Sequence, residues 1–266
     1  MAHISAKKHL IGFLDSGVGG ISVLACAKRF IKNADYIYYA DTDNVPYGTK
    51  APSEIIEYVD KAIACLVERG VEAIVVACNT ATSIAIEAMR EKYPLPLIGM
   101  EPAIKPAVKR HPDGRVLVCA TAATVAGARL HSLIGTVGAH PDLYALSDLV
   151  SFAEAGAFDK ATVCEYLNSA IPDRDSYDAV VLGCTHFTYF RDAFAESFRN
   201  AELIDGNMGA VKRLASLLEL EINTDAPDEN TATTFLRSGR EVTDESEIAS
   251  FRAYENRMAE YYKNVK

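Results

Sequence analysis

The chain has 266 residues, 49% of them hydrophobic and 24% charged, a composition typical of a globular protein long enough for two modest domains. A formal net charge of −9 without any basic cluster argues against nucleic acid and anionic membrane surfaces as partners. The sequence contains neither an apolar run that could cross a membrane nor a secretory signal, so we expect a cytoplasmic protein.

Buried strands alternate with amphipathic helices in the first hundred residues. The strands are predicted at 11–14, 36–40, 73–77 and 96–100. The helices are predicted at 21–30, between an N-cap at Ser53 and a stop at Gly70, and at 82–92. Such alternation is typical of parallel β-α-β units.

The second half of the chain repeats this arrangement. Further strands are predicted at the start of 116–124, at 179–183 and at 201–206, and the segment 101–115 is the expected crossover between the halves. A final helix is predicted at 245–262, whereas the polar stretch from residue 223 onwards shows no clear pattern.

Two pairs of strand ends share one spacing along the chain. Cys78 and Cys184 each follow a buried strand and are 106 residues apart, and Asp15 and Thr121 are also 106 residues apart. We therefore predict an α/β fold of two pseudo-symmetric, doubly wound domains with mostly parallel sheets and the active site in the cleft between them. We assign residues 1–101 with 213–266 to the first domain and residues 102–212 to the second.

The two strand-end cysteines are the main chemical signal. Ligands of open α/β sheets bind at the carboxyl ends of the strands, where helix N-termini offer free N–H groups. Two thiols facing each other across a cleft suit the removal of a proton from one face of a carbon and delivery to the other. Asp15 could orient one thiol, and His186 lies beside the other.

Two other classes of function fit the same residues. In a thiol hydrolase, Cys184 would be the nucleophile, His186 its base, and Cys78 dispensable. A non-catalytic amino-acid-binding protein would tolerate serine at both positions. The six cysteines form no CxxC pair, so free thiols are expected and no metal site is predicted. The glycines of 17–20 lack phosphate-loop spacing and are expected to let the backbone approach a small carboxylate.

Four segments, in order, resemble the aspartate/glutamate racemase family, and glutamate racemases in particular. They are GFLDSGVGG (12–20), ADTDNVPYGTK (40–50), VVACNTAT (75–82) and LGCTHF (182–187). The resemblance implies cofactor-independent interconversion of L- and D-glutamate, which supplies D-glutamate for bacterial peptidoglycan, by a homodimer. The related aspartate racemases also use two cysteines and are the alternative within the family.

The resemblance also implies a role for individual residues. Cys78 would take the α-proton from D-glutamate with the help of Asp15. Cys184 would take it from L-glutamate with the help of His186 and Glu154. The residues that would bind the substrate's amino and carboxylate groups are Asp15, Ser16, Tyr47, Gly48, Asn79, Thr80, Thr121, Thr185 and His186.

The chain departs from the family pattern at a few positions. The family often has Ala-Cys-Pro where this chain reads Ala145-Leu146-Ser147, and glycine is common at the position of Ala120. The sequence after about residue 224 matches the family poorly. Only about ten residues precede the first predicted strand, so the dependence of some members on a peptidoglycan precursor as activator is not expected here.

Overall fold

The computed structural model describes residues 8–225, 227–228 and 230–263, so both ends of the predicted first domain reach beyond the described residues. The first half forms alternating strands and helices. Its strands are β1 (His9–Asp15), β2 (Ala34–Ala40), β3 (Ala73–Val76) and β4 (Leu97–Gly99). Its helices are α1 (Ile21–Phe30), α2 (Pro52–Glu68) and α3 (Asn79–Lys92), with a short 3-10 helix at Tyr47–Thr49. All four strands are parallel, in the spatial order β2-β1-β3-β4.

The second half forms a separate sheet. Its strands are β5 (Val116–Ala120), β6 (Asp142–Ala145), β7 (Ala179–Leu182) and β8 (Glu202–Asp205). The helices around it are α4 (Ile104–Arg110), α5 (Ala122–Ala126), α6 (Ala128–Val137), α7 (Asp148–Glu154), α8 (Lys160–Ala170) and α9 (Arg191–Ser197), with 3-10 helices at Arg174–Ser176 and Thr185–Phe190. α10 (Asn207–Leu217) follows β8 and packs against the first half. The order β6-β5-β7-β8, all parallel, repeats that of β1 to β4, which confirms the predicted pair of related α/β halves.

The polar stretch that the sequence left unassigned completes the first sheet. It forms β9 (Thr233–Arg237) and β10 (Arg240–Glu241), followed by α11 (Glu245–Tyr262). β9 pairs in parallel with β2, and β10 pairs antiparallel with β9, which gives the order β10-β9-β2-β1-β3-β4. α11 has the predicted bounds and packs against α1.

Both sheets are covered on both faces, as expected for parallel strands. One large apolar cluster includes Phe13 of β1, Leu117 of β5 and Phe251 of α11, and so extends across the two halves. Separate clusters cover the opposite face of each sheet. Cys26 and Cys119 lie fully buried in the large cluster, as small hydrophobic residues often do, whereas Cys65 and Cys164 are half-buried.

Two helix starts differ from the predictions. α2 begins at Pro52 instead of after an N-cap at Ser53, and the Ala51 N–H donates a 2.9 Å hydrogen bond to the Glu54 carboxylate. α3 begins at Asn79, three residues early, because the Cys78 sulfur accepts a 3.5 Å hydrogen bond from the Ala81 N–H and acts as the cap. Cysteine is not among the residues that usually cap helices, so the sequence did not indicate that α3 begins at Asn79.

The halves are joined at two places. The chain leaves the first sheet after β4, and α4 then packs against β5 and β7. It returns after β8, where α10 packs against α1 and β4. The division into 1–101 with 213–266 and 102–212 stays a prediction. Within the part of the chain described here, no helix has the length and apolarity needed to cross a membrane.

Candidate active site

Cys78 and Cys184 line one cavity of about 150 Å³ between the two halves. Cys78 follows β3 and caps α3, and Cys184 precedes the 3-10 helix Thr185–Phe190 after β7. β3 and β7 occupy equivalent positions in their sheets. Each pairs with the first strand of its half, β3 with β1 and β7 with β5. The residues that line the cavity are Ser16, Pro46, Tyr47, Gly48, Thr49, Cys78, Asn79, Thr80, Thr121, Ser147, Asp148, Val150, Ser151, Cys184, Thr185 and His186.

Hydrogen bonds connect the strand ends of one half to those of the other. Thr121 follows β5, and its hydroxyl lies 3.1 Å from that of Thr80 at the start of α3. Asp15 ends β1, and its carboxylate accepts a 3.2 Å hydrogen bond from the Thr185 hydroxyl. The two pairs of positions identified by their shared spacing therefore meet in the cleft.

On the Cys184 side, the His186 imidazole lines the cavity and is bonded to a carboxylate, Glu154, that is not among the lining residues. His186 Nδ1 lies 3.7 Å from the Cys184 sulfur, and Nε2 lies 2.6 Å from Glu154 Oε1. Burial opposes a charge on His186, but the hydrogen bonds to Cys184 and Glu154 outweigh it and raise its pKa well above the usual value. Burial likewise opposes a charge on Glu154, but its bond to His186 lowers its pKa. The pair is therefore an imidazolium and a carboxylate.

The Cys78 side has a different set of neighbours. The Cys78 sulfur lies 3.8 Å from the Ser16 hydroxyl. Burial, together with the negative charge of Asp15, raises the pKa of Cys78 to about 12. Burial also raises the pKa of Asp15 to about 6, although His186 and the Gly17 N–H, 3.0 Å away, act in the opposite direction. Cys78 therefore holds its proton at neutral pH in the unliganded site.

The predicted substrate-binding residues are brought together, with one exception. All of them line the cavity except Asp15, which is fully buried and contacts it through Thr185. The Tyr47 hydroxyl donates a 2.6 Å hydrogen bond to Asp41, and the Asn79 amide donates to the Met100 carbonyl at 3.2 Å. These bonds fix both side chains before a ligand arrives.

Two glycines of 17–20 allow side chains of the opposite half to pack closely. A β-carbon on Gly17 would lie 1.9 Å from Glu154 Oε1, and one on Gly19 would lie 2.4 Å from His186 Nδ1. Gly17 and Gly19 therefore admit the Glu154 and His186 side chains. That the glycines also let the backbone approach a small carboxylate stays a prediction.

Sequence reasoning missed one wall of the cavity. Ser147, Asp148 and Ser151 line it from α7 and are exposed at its mouth. They lie seven, six and three residues before Glu154, spacings that put Ser147 and Ser151 on its side of the helix and could have identified them. Pro46 and Thr49, on either side of Tyr47 and Gly48 in the chain, also line the cavity.

The charge around the cavity is unusual for an anion-binding site. None of the described residues that line it is Lys or Arg. An anionic ligand would be held by hydroxyls, by the Asn79 amide and by the free N–H groups at the start of α3, as the sequence predicted. A larger groove of about 1030 Å³ lies beside β4, α4 and α10, but no cysteine is among its described lining residues.

Comparisons with known proteins agree with this site. A family model described as Asp/Glu/hydantoin racemase matches residues 22–214. A glutamate racemase from Halothermothrix orenii is 48% identical over 78% of this chain and 84% of its own length. One from Campylobacter concisus is 44% identical over 90% of this chain and 93% of its own length. The crystal structure of Escherichia coli glutamate racemase, in complex with L-glutamate and the activator UDP-MurNAc-ala, has a TM-score of 0.76 and 29% identity, covering 93% of this chain and 95% of that one.

The family match covers the strand ends that carry both thiols, and the relatives extend over most of the chain. The structural match covers both halves and the cleft between them. By sequence and by fold, this chain belongs to the Asp/Glu/hydantoin racemase family.

Proposed function

We propose that this protein interconverts L- and D-glutamate without a cofactor, with Cys78 and Cys184 as the two catalytic acid–base groups. The observation that carries the proposal is that both thiols, from equivalent positions of two related sheets, line one small cavity. The names of the relatives, glutamate racemases from several bacteria, support glutamate as the substrate.

The reaction is a proton transfer through a planar intermediate. From one enantiomer, the Cys184 thiolate takes the α-proton, and the electron pair left on the carbon moves toward the α-carboxylate. Cys78, as a thiol, then delivers its proton to the opposite face. In the reverse direction the two sulfurs exchange roles, because each finishes in the protonation state that the other needed at the start.

The side chains around the thiols have different supporting roles. The imidazolium of His186, held by Glu154, places a positive charge beside the sulfur of Cys184. Asp15 lies on the Cys78 side, directly before Ser16. Among the described residues of the loop that follows β1, it is the only buried carboxylate. Thr80, Thr121 and the free N–H groups of α3 can stabilise the negative charge that develops on the substrate carboxylate.

The wider role of the protein follows from the reaction. D-Glutamate is a component of bacterial peptidoglycan, so we propose that the protein supplies it for cell-wall synthesis in the cytoplasm, as a homodimer. Size-exclusion chromatography with light scattering on the purified protein tests the dimer. A monomer at micromolar concentration would contradict it.

Proton NMR in D₂O tests the reaction and the substrate together. L-Glutamate and L-aspartate are incubated separately with the purified protein and no added cofactor. We expect loss of the α-proton signal from glutamate alone, with D-glutamate appearing. Exchange on aspartate alone would move the protein to aspartate racemisation, and exchange on neither would overturn the proposal.

Serine variants test the two-thiol mechanism. Cys78→Ser and Cys184→Ser should each lower racemisation at least about 100-fold, because a hydroxyl is a far weaker acid than a thiol. Cys65→Ser, which alters a half-buried thiol outside the cavity, is the matched control and should retain activity. Full racemisation by Cys78→Ser would contradict the two-thiol mechanism.

A further inference from the structure

The final helix, α11, contacts the backbone beside each member of the Glu154–His186 pair. The Tyr254 hydroxyl donates a 2.9 Å hydrogen bond to the carbonyl of Ala153, the residue before Glu154. This contact lies at the C-terminal end of α7, where the same carbonyl also accepts a 2.9 Å hydrogen bond from the Gly156 N–H. It fixes the helix end from which the Glu154 side chain extends.

The second contact is made one turn later along α11. Arg257 Nε and Nη2 donate hydrogen bonds of 3.0 and 2.9 Å to the carbonyl of Tyr189, three residues after His186. The guanidinium also lies over the Phe158 ring, 4.5 Å from its centroid, and 3.8 Å from the Asp192 carboxylate. Its side chain is 34% exposed, so the ion pair with Asp192 contributes little by itself, whereas the two-donor bond fixes the 3-10 helix that carries His186.

The two contacts belong to one closed network. The Tyr189 hydroxyl donates to the Val18 carbonyl at 2.7 Å, and the Val18 N–H donates to Glu154 Oε1 at 2.9 Å. Phe158 and Tyr254 pack against each other and against Tyr189, with ring centroids 5.4 to 5.8 Å apart. A shift of α11 would therefore move the carboxylate and the imidazole relative to each other.

We infer that α11 sets the geometry of the Glu154–His186 pair beside Cys184, with Tyr254 and Arg257 as positioning residues. The hydrogen bonds that Tyr254 and Arg257 donate go to the Cys184 side of the site, and none of those described goes to Cys78 or Ser16. The inference rests on the proposed function, because it assigns α11 to one of the two proton transfers.

A racemisation assay cannot distinguish an effect on the proton transfer at Cys184 from an effect on the transfer at Cys78. The equilibrium constant between enantiomers is one, so kcat/KM must change equally in both directions. Elimination from 3-chloroglutamate removes this constraint because it is irreversible. A thiolate takes the α-proton, the electron pair forms the Cα–Cβ double bond, and chloride leaves, so each enantiomer reports on one thiol.

Chloride release from each enantiomer of 3-chloroglutamate is the test. Cys184→Ser first identifies the enantiomer that depends on Cys184. We expect Tyr254→Phe and Arg257→Met to lower kcat/KM for that enantiomer roughly tenfold and to change the other less than about twofold. Arg257→Lys, which keeps the charge but loses the planar two-donor group, should fall between Arg257→Met and the unsubstituted protein. Arg252→Met, at an exposed position of the same helix, is the control and should change neither.

The outcomes separate the two proposals. Equal losses for both enantiomers would show that α11 acts only through general stability and would overturn this inference alone, as would the absence of any loss. No elimination from either enantiomer by the unsubstituted protein would overturn the proposed function together with this inference. Tyr254→Phe retains the buried ring, so at least one variant is expected to fold.

Discussion

Asp15 illustrates the cost of placing a carboxylate in a closed cleft. It is fully buried, and among the described residues its carboxylate accepts hydrogen bonds only from the Gly17 N–H and the Thr185 hydroxyl. Because burial is the largest influence, its pKa rises to about 6. The folded protein therefore binds a proton on Asp15 between about pH 4 and pH 6 that the unfolded chain does not, and the free energy of unfolding falls as the pH rises through this window.

Asp15→Asn should remove this pH dependence. We compare the free energy of unfolding of the variant with that of the unsubstituted protein at each pH. This difference should shift in favour of the variant by at most about 3 kcal/mol between about pH 4 and about pH 7. Denaturant unfolding of both proteins at the two pH values measures the difference. The same difference at both pH values would contradict a raised pKa for Asp15.

Gly19 gives a second test at the scale of single residues. Gly19→Ala would place a β-carbon 2.4 Å from His186 Nδ1, so the imidazole must move away from Cys184. A displacement of about 1 Å at a catalytic group is enough to cost roughly 100-fold in activity. We expect a loss of that size in the racemisation assay.

Gly135→Ala is the matched control for Gly19→Ala. Gly135 lies in α6, and a β-carbon there would meet no atom within 4 Å. The substitution should leave activity unchanged and raise the free energy of unfolding by about 0.5–1 kcal/mol, since alanine is the better helix former. Comparable activity for the two alanine variants would rule out close packing of Gly19 against His186.

At the scale of elements, β9 is a strand that the sequence did not predict. Its residues Thr233–Arg237 include only two apolar side chains, Phe235 and Leu236, and its partner β2 lies about 200 residues earlier in the chain. Periodicity is a local signal, so a short strand that is paired over such a distance leaves little trace in it. Seven of the first eight strands were more visible because buried parallel strands read as apolar runs. β6 (Asp142–Ala145) was not predicted, and none of its residues is fully buried.

The candidate site was easier to predict than that strand. Cys78, Cys184 and most of their neighbours follow apolar strands directly, so topology alone brings them to one edge. The mouth residue Ser151 and the positioning residue Arg257 lie on helices whose orientation depends on tertiary packing. The sequence contains their spacing but not the direction in which those helices face.

Phe235→Ala tests whether β9 contributes to stability. The Phe235 ring is 3% exposed and stacks on Phe251 of α11, with centroids 4.9 Å apart. Its removal should lower the free energy of unfolding by about 3–5 kcal/mol, as for other buried aromatic rings. Chemical denaturation measures the change, and a cost below about 1 kcal/mol would mean that β9 is not packed as described.

At the scale of the whole molecule, the site exists only where the halves meet. Hydrogen bonds between Thr80 and Thr121, and between Asp15 and Thr185, cross the cleft beside both thiols. A substrate that contacts both halves would therefore close the cavity over both sulfurs at once. The half-buried thiol of Cys65 lies outside this region.

Alkylation by iodoacetamide followed by mass spectrometry tests this closure. We expect glutamate at about 100 times its Kd to slow the modification of Cys78 and Cys184 at least tenfold, since about 1% of the protein would then be unliganded. Cys65 and Cys164 should react at the same rate with and without glutamate. Protection of all four would indicate a general stabilisation instead of occupancy of the cavity.

The pairing of β9 with β2 also bears on how the chain is made. The second sheet is built from one continuous stretch of chain, whereas the first sheet must wait for β9, which follows the whole of the second. During synthesis the second half can thus fold while β2 still presents an open edge, a surface on which nascent chains aggregate. Because α11 comes later still, a nascent chain contains both thiols before it contains Tyr254 and Arg257, so the Glu154–His186 pair gains these two contacts only after the final helix has been made.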